Sequence, residues 1–234
     1  MCDSALVLFS GGQDSTTCLA WALEHYDAVE TVGFDYRQRH KIELSRREII
    51  RNKLCKIKSD WLSKLGKDHL IDLSLISQLG DTALTTESEI KILSNGLPST
   101  FVPGRNLFFF ITAASIAYRR NISTLVGGMC ETDYSGYPDC RNNTLTTLQS
   151  ALNQGLDKKI NIKTPLMWLT KEKIWQLSNE LGGSDFIEII INDTHSCYRG
   201  ERRRKWEWGY GCNDCPACEL RMQGFVKFKK VYKR

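Results

Sequence analysis

A chain of 234 residues suits one α/β domain, or one domain with a small appendage, and excludes a pair of large domains. Its hydrophobic share of 41% and charged share of 25%, with no run of 18 apolar residues and no signal-peptide pattern, exclude a membrane-spanning helix and predict a cytoplasmic protein. The net charge of +5 is modest and gathers in Arg202, Arg203, Arg204, Lys205 and the tail 227–234, which suits either a solvated face or an anionic partner.

Ala5 to Phe9 form a continuous apolar run, as expected of a buried parallel strand. Gly11 and Gly12 then supply a turn that lets backbone N–H groups approach an anion, while Ser10, Asp14, Ser15 and Thr16 offer hydroxyls, a cap and a metal-capable carboxylate. Leu19, Ala22, Leu23 and Tyr26 recur at helical spacing, so a phosphate would rest on a helix N-terminus. The string has neither the lysine of G-x-x-x-x-G-K-[ST] nor the spacing of G-x-G-x-x-G. A second strand is expected over 29–34 and an amphipathic helix over 41–57, with Ile42, Ile49, Ile50, Leu54 and Ile57 on its buried side. A third strand follows over 69–73, an apolar helix over 107–120, a fourth strand over 124–127 and a helix over 142–154. This alternation predicts βαβ units and a doubly wound parallel sheet. The turn-rich stretch 74–102 reads equally as a lid or as disorder. Thr170 caps a helix carrying Ile174, Leu177, Ser178 and Leu181 on one face, and Gly182-Gly183 is expected to end it.

Nine cysteines are an odd number, and Cys197, Cys212, Cys215 and Cys218 crowd the C-terminal quarter, which favours metal binding over a disulfide framework. The two-residue gaps of C-N-D-C-P-A-C turn thiolates toward one tetrahedron, and four thiolates leave no open position, so a structural zinc is expected to staple an irregular tail. An iron–sulfur cluster or a redox pair uses the same spacing. Division at 190 gives a main domain, 1–190, and a metal-binding appendage, 191–234. Three polar clusters stand out, 34–40, 103–106 and 131–141, of which the first follows the second strand and the last the fourth, at the carboxyl ends where ligands of such sheets gather. They offer Tyr36, Tyr134 and Tyr137 as aromatic faces, Glu131, Asp133 and Asp139 as carboxylates, and Arg39, Arg105 and Arg141 as cations, a set suited to a planar heterocycle with an anionic group. Y-S-G-Y-P-D-C reads equally as a turn with structural tyrosines.

The loop SGGQDS resembles that of the PP-loop ATP pyrophosphatases, and SGGQDSTTCL, FDY with QRH, PGRN, ETDYSGYPDCR, TPLMWLTK, THSCYRG and CNDCPACELR together resemble the 7-cyano-7-deazaguanine synthase family from Leu6 to Arg221. The resemblance implies a Rossmann-like sheet of the adenine nucleotide alpha hydrolase type. It implies conversion of 7-carboxy-7-deazaguanine, ammonia and ATP to the nitrile preQ0 of queuosine biosynthesis, through an adenylated carboxylate and an amide. By the same token Phe9, Ser10, Gly11, Gly12, Gln13, Asp14, Ser15, Thr16, Thr17, Cys18 and Leu19 would form the ATP site, with Asp14 helping to hold Mg²⁺. Asp14, Lys163, Lys171 and Arg105 would be catalytic, although Lys171 also reads as an ordinary first-turn residue. Gln38, Arg39, His40, Glu131, Asp133, Tyr134, Tyr137, Asp139 and Arg141 would bind the deazaguanine, and the four cysteines one Zn²⁺. His40 is either a base for ammonia or an imidazole bonded at a helix start. A homodimer is implied, and neither membrane nor nucleic acid is called for. Two departures stand out: Arg37, where the family usually has glycine, and the 14-residue interval between Cys197 and Cys212. A tRNA-thiolating relative and a variant stopping at the amide are the competing readings, the first drawing on the basic-aromatic stretch 202–208.

Overall fold

The computed structural model describes residues 3–39, 41–80, 82–86, 89–94, 96–132 and 136–232; His40, Asp133 and Tyr134 lie outside them. Strands β1 (Ser4–Leu8), β2 (Ala28–Asp35), β3 (Leu65–Asp72), β4 (Thr124–Val126) and β5 (Asn161–Lys163) form one sheet in the order β3-β2-β1-β4-β5. Every pairing in it is parallel. Alternation along β1 explains the apolar run: Ala5 and Val7 feed the core on one face, and Leu6 and Leu8 the core on the other. Helices α1 (Gln13–His25) and α6 (Lys171–Asp193) cover the first face, and α4 (Arg105–Arg119) and α5 (Asn142–Leu156) the second. This is the expected α/β doubly wound architecture. The chain moves from β1 outward to β2 and β3, then returns to β4 on the other side of β1, so the crevice at the carboxyl ends of β1 and β4 is the topological switch point.

The helix expected over 41–57 is α2 (Ile42–Leu54), and a short α3 (Ser59–Lys64), not expected, follows with Trp61 fully buried. Ile50 and Leu54 are buried as expected, whereas Ile49 is exposed. The glycine pair 182–183 interrupts α6 as expected: Gly182 and Gly183 leave helical geometry at φ −145° and φ 62°, and a second helical stretch then runs to Asp193, its Phe186, Ile189 and Ile190 entering the core. The expected irregular tail is instead α7 (Pro216–Tyr232), whose Phe225 meets Trp175 of α6 edge-on at 5.0 Å and whose Phe228 stacks on it at 6.1 Å between ring centroids. Cys197, Trp208, Phe225 and Phe228 share one core with α1 and α6, which packs the described C-terminal residues against the main body. In 74–102, Ile76, Leu84 and Val102 form a small core with Tyr36, Phe109 and Tyr198 packed against it, which fixes the loop beside the switch point.

Arg37 takes φ 57°, in the left-handed region, with its N–H donating to Asp35 Oδ1 at 3.1 Å. A Cβ there costs about 1–2 kcal/mol, partly offset by the flexibility a glycine brings to the unfolded chain. Arg37→Gly is therefore expected to stabilise the protein by about 0.5–1 kcal/mol, a rise of roughly 1–4 °C in Tm for a chain of this size. Thermal denaturation checks this, and a lowered Tm would contradict it.

Candidate active site

The loop from Phe9 to Gly12 leaves β1 at the switch point and delivers the chain into α1. Gly11 has φ 97°, and its Cα faces the backbone of Glu43 so closely that a side chain has no room. Gly12 caps α1 without a side-chain bond, leaving the helix N-terminus to the cleft. Serine hydroxyls shape the loop: Ser15 Oγ accepts from the N–H groups of Ser10 and Gly11 at 3.2 and 3.3 Å, and Ser10 Oγ accepts from Gly12 at 3.2 Å. The His195 N–H donates to the Gly11 carbonyl at 3.2 Å, which ties the THSC segment to the loop.

Above the loop lies a cleft of about 340 Å³ lined by residues from every part of the chain. Lys171, in the first turn of α6, reaches both oxygens of Asp14 at 3.0 and 2.9 Å. Two features hold it there. The buried bond between Thr17 Oγ1 and Ser178 Oγ, at 2.8 Å, pins α6 to α1 two helical turns along from Lys171. Gly224 lets α7 press against Lys171, since a Cβ at 224 would lie 2.8 Å from its Cγ. On the opposite wall, the Arg105 guanidinium stands over the rings of Tyr36, Phe109 and Tyr137 at 5.8, 5.9 and 5.8 Å. Tyr137 is itself fixed by a 2.6 Å bond to Thr100 Oγ1. Two cleft donors, Arg105 Nε and Gln13 Nε2, are buried without a hydrogen-bond partner among the described residues.

Glu43 and Arg221 also line this cleft, as does Tyr198. Desolvation pushes the Glu43 carboxyl up to about 7; Asp14 adds to the rise, while Arg105, the Ser10 hydroxyl and Arg221 oppose it. Arg221 is wholly buried and donates to the carbonyls of Trp208 and Ile190 and to Ser196 Oγ. Sequence reasoning missed all three. Tyr198 and Arg221 lie inside the THSCYRG and CNDCPACELR motifs without having been given a role, and the signal for Glu43 was an acid in the first turn of a helix that starts beyond β2.

The expected residues divide. Phe9, Ser10, Gly12, Gln13, Asp14, Ser15, Gln38, Arg39, Arg105, Tyr137 and Lys171 line the cleft. Thr16, Thr17, Cys18 and Leu19 instead turn into the core: Thr16 Oγ1 donates to the Gly12 carbonyl at 2.7 Å, and Cys18 and Leu19 are fully buried. Lys163 is exposed and borders a separate pocket with Gln149 and Asn161, at the end of β5. Asp139 is buried and accepts from the Asn106 N–H at 3.0 Å, a cap for α4, while Glu131 caps α5 by accepting from the Asn142 N–H at 3.0 Å. Arg141 is exposed at the start of α5. Glu131 and Asp139 thus each commit one carboxylate oxygen to a helix N-terminus, while Tyr137 and Cys140 line the cleft.

The sulfur atoms of Cys197, Cys212, Cys215 and Cys218 all lie within 4.8 Å of one another, and those of Cys212 and Cys218 are 3.9 Å apart. A tetrahedron with ~2.3 Å metal–sulfur bonds has edges of ~3.8 Å, so the four can hold one metal ion. Hydrogen bonds donated to the Cys197 sulfur lower its pKa and raise those of Cys215 and Cys218. A divalent cation relieves that crowding by accepting all four as thiolates. The long interval between Cys197 and Cys212 is taken up by a hairpin, β6 (Lys205–Trp206) and β7 (Gly209–Tyr210), with Trp206 stacked on Trp208. Arg202 is absorbed structurally, donating to the carbonyls of Asn192 and Thr194 at 2.6 and 3.2 Å.

Comparison with known proteins agrees with this geometry. The 7-cyano-7-deazaguanine synthase of Zymomonas mobilis is 57% identical over 97% of this chain and 90% of the relative. Those of Herminiimonas arsenicoxydans and Paraburkholderia phytofirmans are 57% and 58% identical, over 97% and 96% of this chain and 97% and 92% of the relatives. A solved complex of a 4-thiouridine synthetase with RNA and bound ATP shares the fold at a TM-score of 0.52 and 16% identity, covering 97% of this chain and 53% of that one. No helix among the described residues is long and apolar enough to cross a membrane. The family model described as "Queuosine biosynthesis protein QueC" matches residues 4–229, and with relatives this similar over nearly their whole length, the chain belongs to the QueC family.

Proposed function

We propose that this chain is a nitrile-forming C–N ligase that converts 7-carboxy-7-deazaguanine, ammonia and ATP into 7-cyano-7-deazaguanine, working in the cytosol as a homodimer. The observation that carries the reading is the pair of buried, unpartnered donors in one cleft, Gln13 Nε2 at the phosphate loop and Arg105 Nε within its aromatic surround. Both suit acceptor-rich ligands: a triphosphate over the α1 N-terminus, and a flat acid against Tyr36 and Tyr137. A carboxylate is a poor electrophile, and adenylation gives its carbon a stabilised leaving group. Ammonia then forms the amide, and a second activation of the amide oxygen permits loss of that oxygen to leave the nitrile. Lys171, facing the loop, offsets negative charge that grows on the phosphates as the bond to the leaving group breaks. Asp14 would supply a carboxylate to Mg²⁺, which shields phosphate charge when bound. The cysteine set would hold Zn²⁺, with no open position and hence no part in the chemistry.

Incubation of the purified protein with 7-carboxy-7-deazaguanine, ATP and ammonium, without RNA, is expected to give the nitrile after a transient amide by time-resolved mass spectrometry. Amide as the end product would shift the reading to an amide-forming variant. No reaction would overturn it.

A further inference from the structure

We propose that Glu43 is the proton acceptor for ammonia when the amide forms. The inference rests on the function proposed above and names a group in the same cleft. Geometry carries it. Glu43 opens α2, which follows β2, and its backbone lies against Gly11. Its carboxylate leans toward the turn, since a Cβ at Gly12 would sit 3.5 Å from Glu43 Oε1, and the Ser10 hydroxyl is bonded to it. The group therefore stands between the phosphate loop and the Arg105 wall, where an acyl phosphate would be attacked.

The groups facing it come from every neighbouring element. Ser10 precedes α1 and Asp14 belongs to it; Tyr36 follows β2; Arg105 opens α4; Arg221 comes from α7. Asp14 is neutralised by Lys171 of α6. Arg221 and Tyr137 are occupied elsewhere, by carbonyls and by Thr100. A carboxylate held near neutrality by desolvation has the proton affinity a general base needs at working pH.

The step balances. The ammonia nitrogen forms a C–N bond to the acyl carbon as the carbonyl π pair moves to oxygen. Glu43 takes one N–H proton. The pair then returns from oxygen, the C–O bond to AMP breaks, and AMP leaves with those electrons. Amide, AMP and a protonated Glu43 result.

Glu43→Gln keeps the shape and the bond to Ser10 and removes the base. At fixed free ammonia, amide formation in this variant is expected to fall about 10²-fold or more. Pyrophosphate exchange into ATP, driven by the acid without ammonia, should fall by less than tenfold. The unmutated enzyme should show amide formation rising with pH through about 7, and that rise should flatten in Glu43→Gln. Amide formation within fivefold of the unmutated enzyme, or equal loss of both reactions, would overturn the assignment, the second outcome marking a structural role. Should Glu43→Gln fail to fold, Glu43→Asp decides: retention of the pH rise with a lowered rate supports the base, and an unchanged rate overturns it. An unmutated enzyme that drives no exchange and makes no product would overturn the underlying reading of function, and the base with it.

Discussion

Replacing Lys171 with alanine is expected to lower kcat by about 10²–10³-fold, the usual loss when one preorganised charge-stabilising donor is removed from a transition state. A cation in the first turn of a helix opposes the macrodipole, so the sequence leaves its purpose open. The fold answers by placing Asp14 within 3.0 Å, in a position where the lysine side chain is only 12% exposed. An ion pair that far from water is held by its surroundings. Thr17 and Ser178 fix the two helices, and Gly224 brings α7 against the lysine stem. KM for ATP should change less than kcat, because the loop N–H groups and the α1 N-terminus still bind the ground-state phosphates. Gly224→Val gives an independent check, since it displaces Lys171 and leaves its ammonium intact; a fall in kcat of smaller size is expected. Steady-state product formation measures both. A Lys171→Ala enzyme within fivefold of the unmutated kcat would remove this lysine from the chemistry.

The parts of the site legible in the sequence are those whose chemistry is local. The β1 run, the glycine turn and the first residues of α1 follow one another without a break, so spacing alone places the anion site at a helix start. The cysteine set was legible for the same reason, three of its four members falling within seven residues. Glu43, Tyr198 and Arg221 were not legible, because each reaches the cleft only through packing between elements distant in sequence. Asp139 and Glu131 each have a second structural duty that the sequence did not signal: one oxygen of each accepts from a helix N-terminus, at Asn106 and Asn142. The break at Gly182 and Gly183 was legible as a local stop signal, whereas the second helical stretch beyond it depends on Phe186, Ile189 and Ile190 entering the core.

If the cysteine set holds the structural ion proposed above, removing that ion is expected to abolish turnover. Cys218 sits in the first turns of α7, and the same helix carries Arg221, Gly224, Phe225 and Phe228. Through Arg221 it holds Ser196, Trp208 and Ile190; through Gly224 it presses on Lys171; and Ala217, Leu220 and Arg221 form cleft wall. Cys197 adds a second route, one residue beyond Ser196 and two beyond His195, whose N–H ties the phosphate loop. Structural zinc in small thiolate sites is worth about 10–16 kcal/mol of apparent binding free energy at neutral pH, so its loss outweighs the stability of an ordinary domain. Cys215→Ala or exhaustive chelation should therefore lower Tm by more than about 10 °C and remove product formation together. Refilling the chelated protein with Co²⁺, which accepts the same tetrahedral thiolates, should restore kcat to within about threefold, because a closed four-thiolate set leaves no position for substrate. A kcat that depended strongly on which ion was restored would instead place the metal in the chemical step. Activity that survived chelation with an unchanged Tm would break the link between the cysteine set and the cleft.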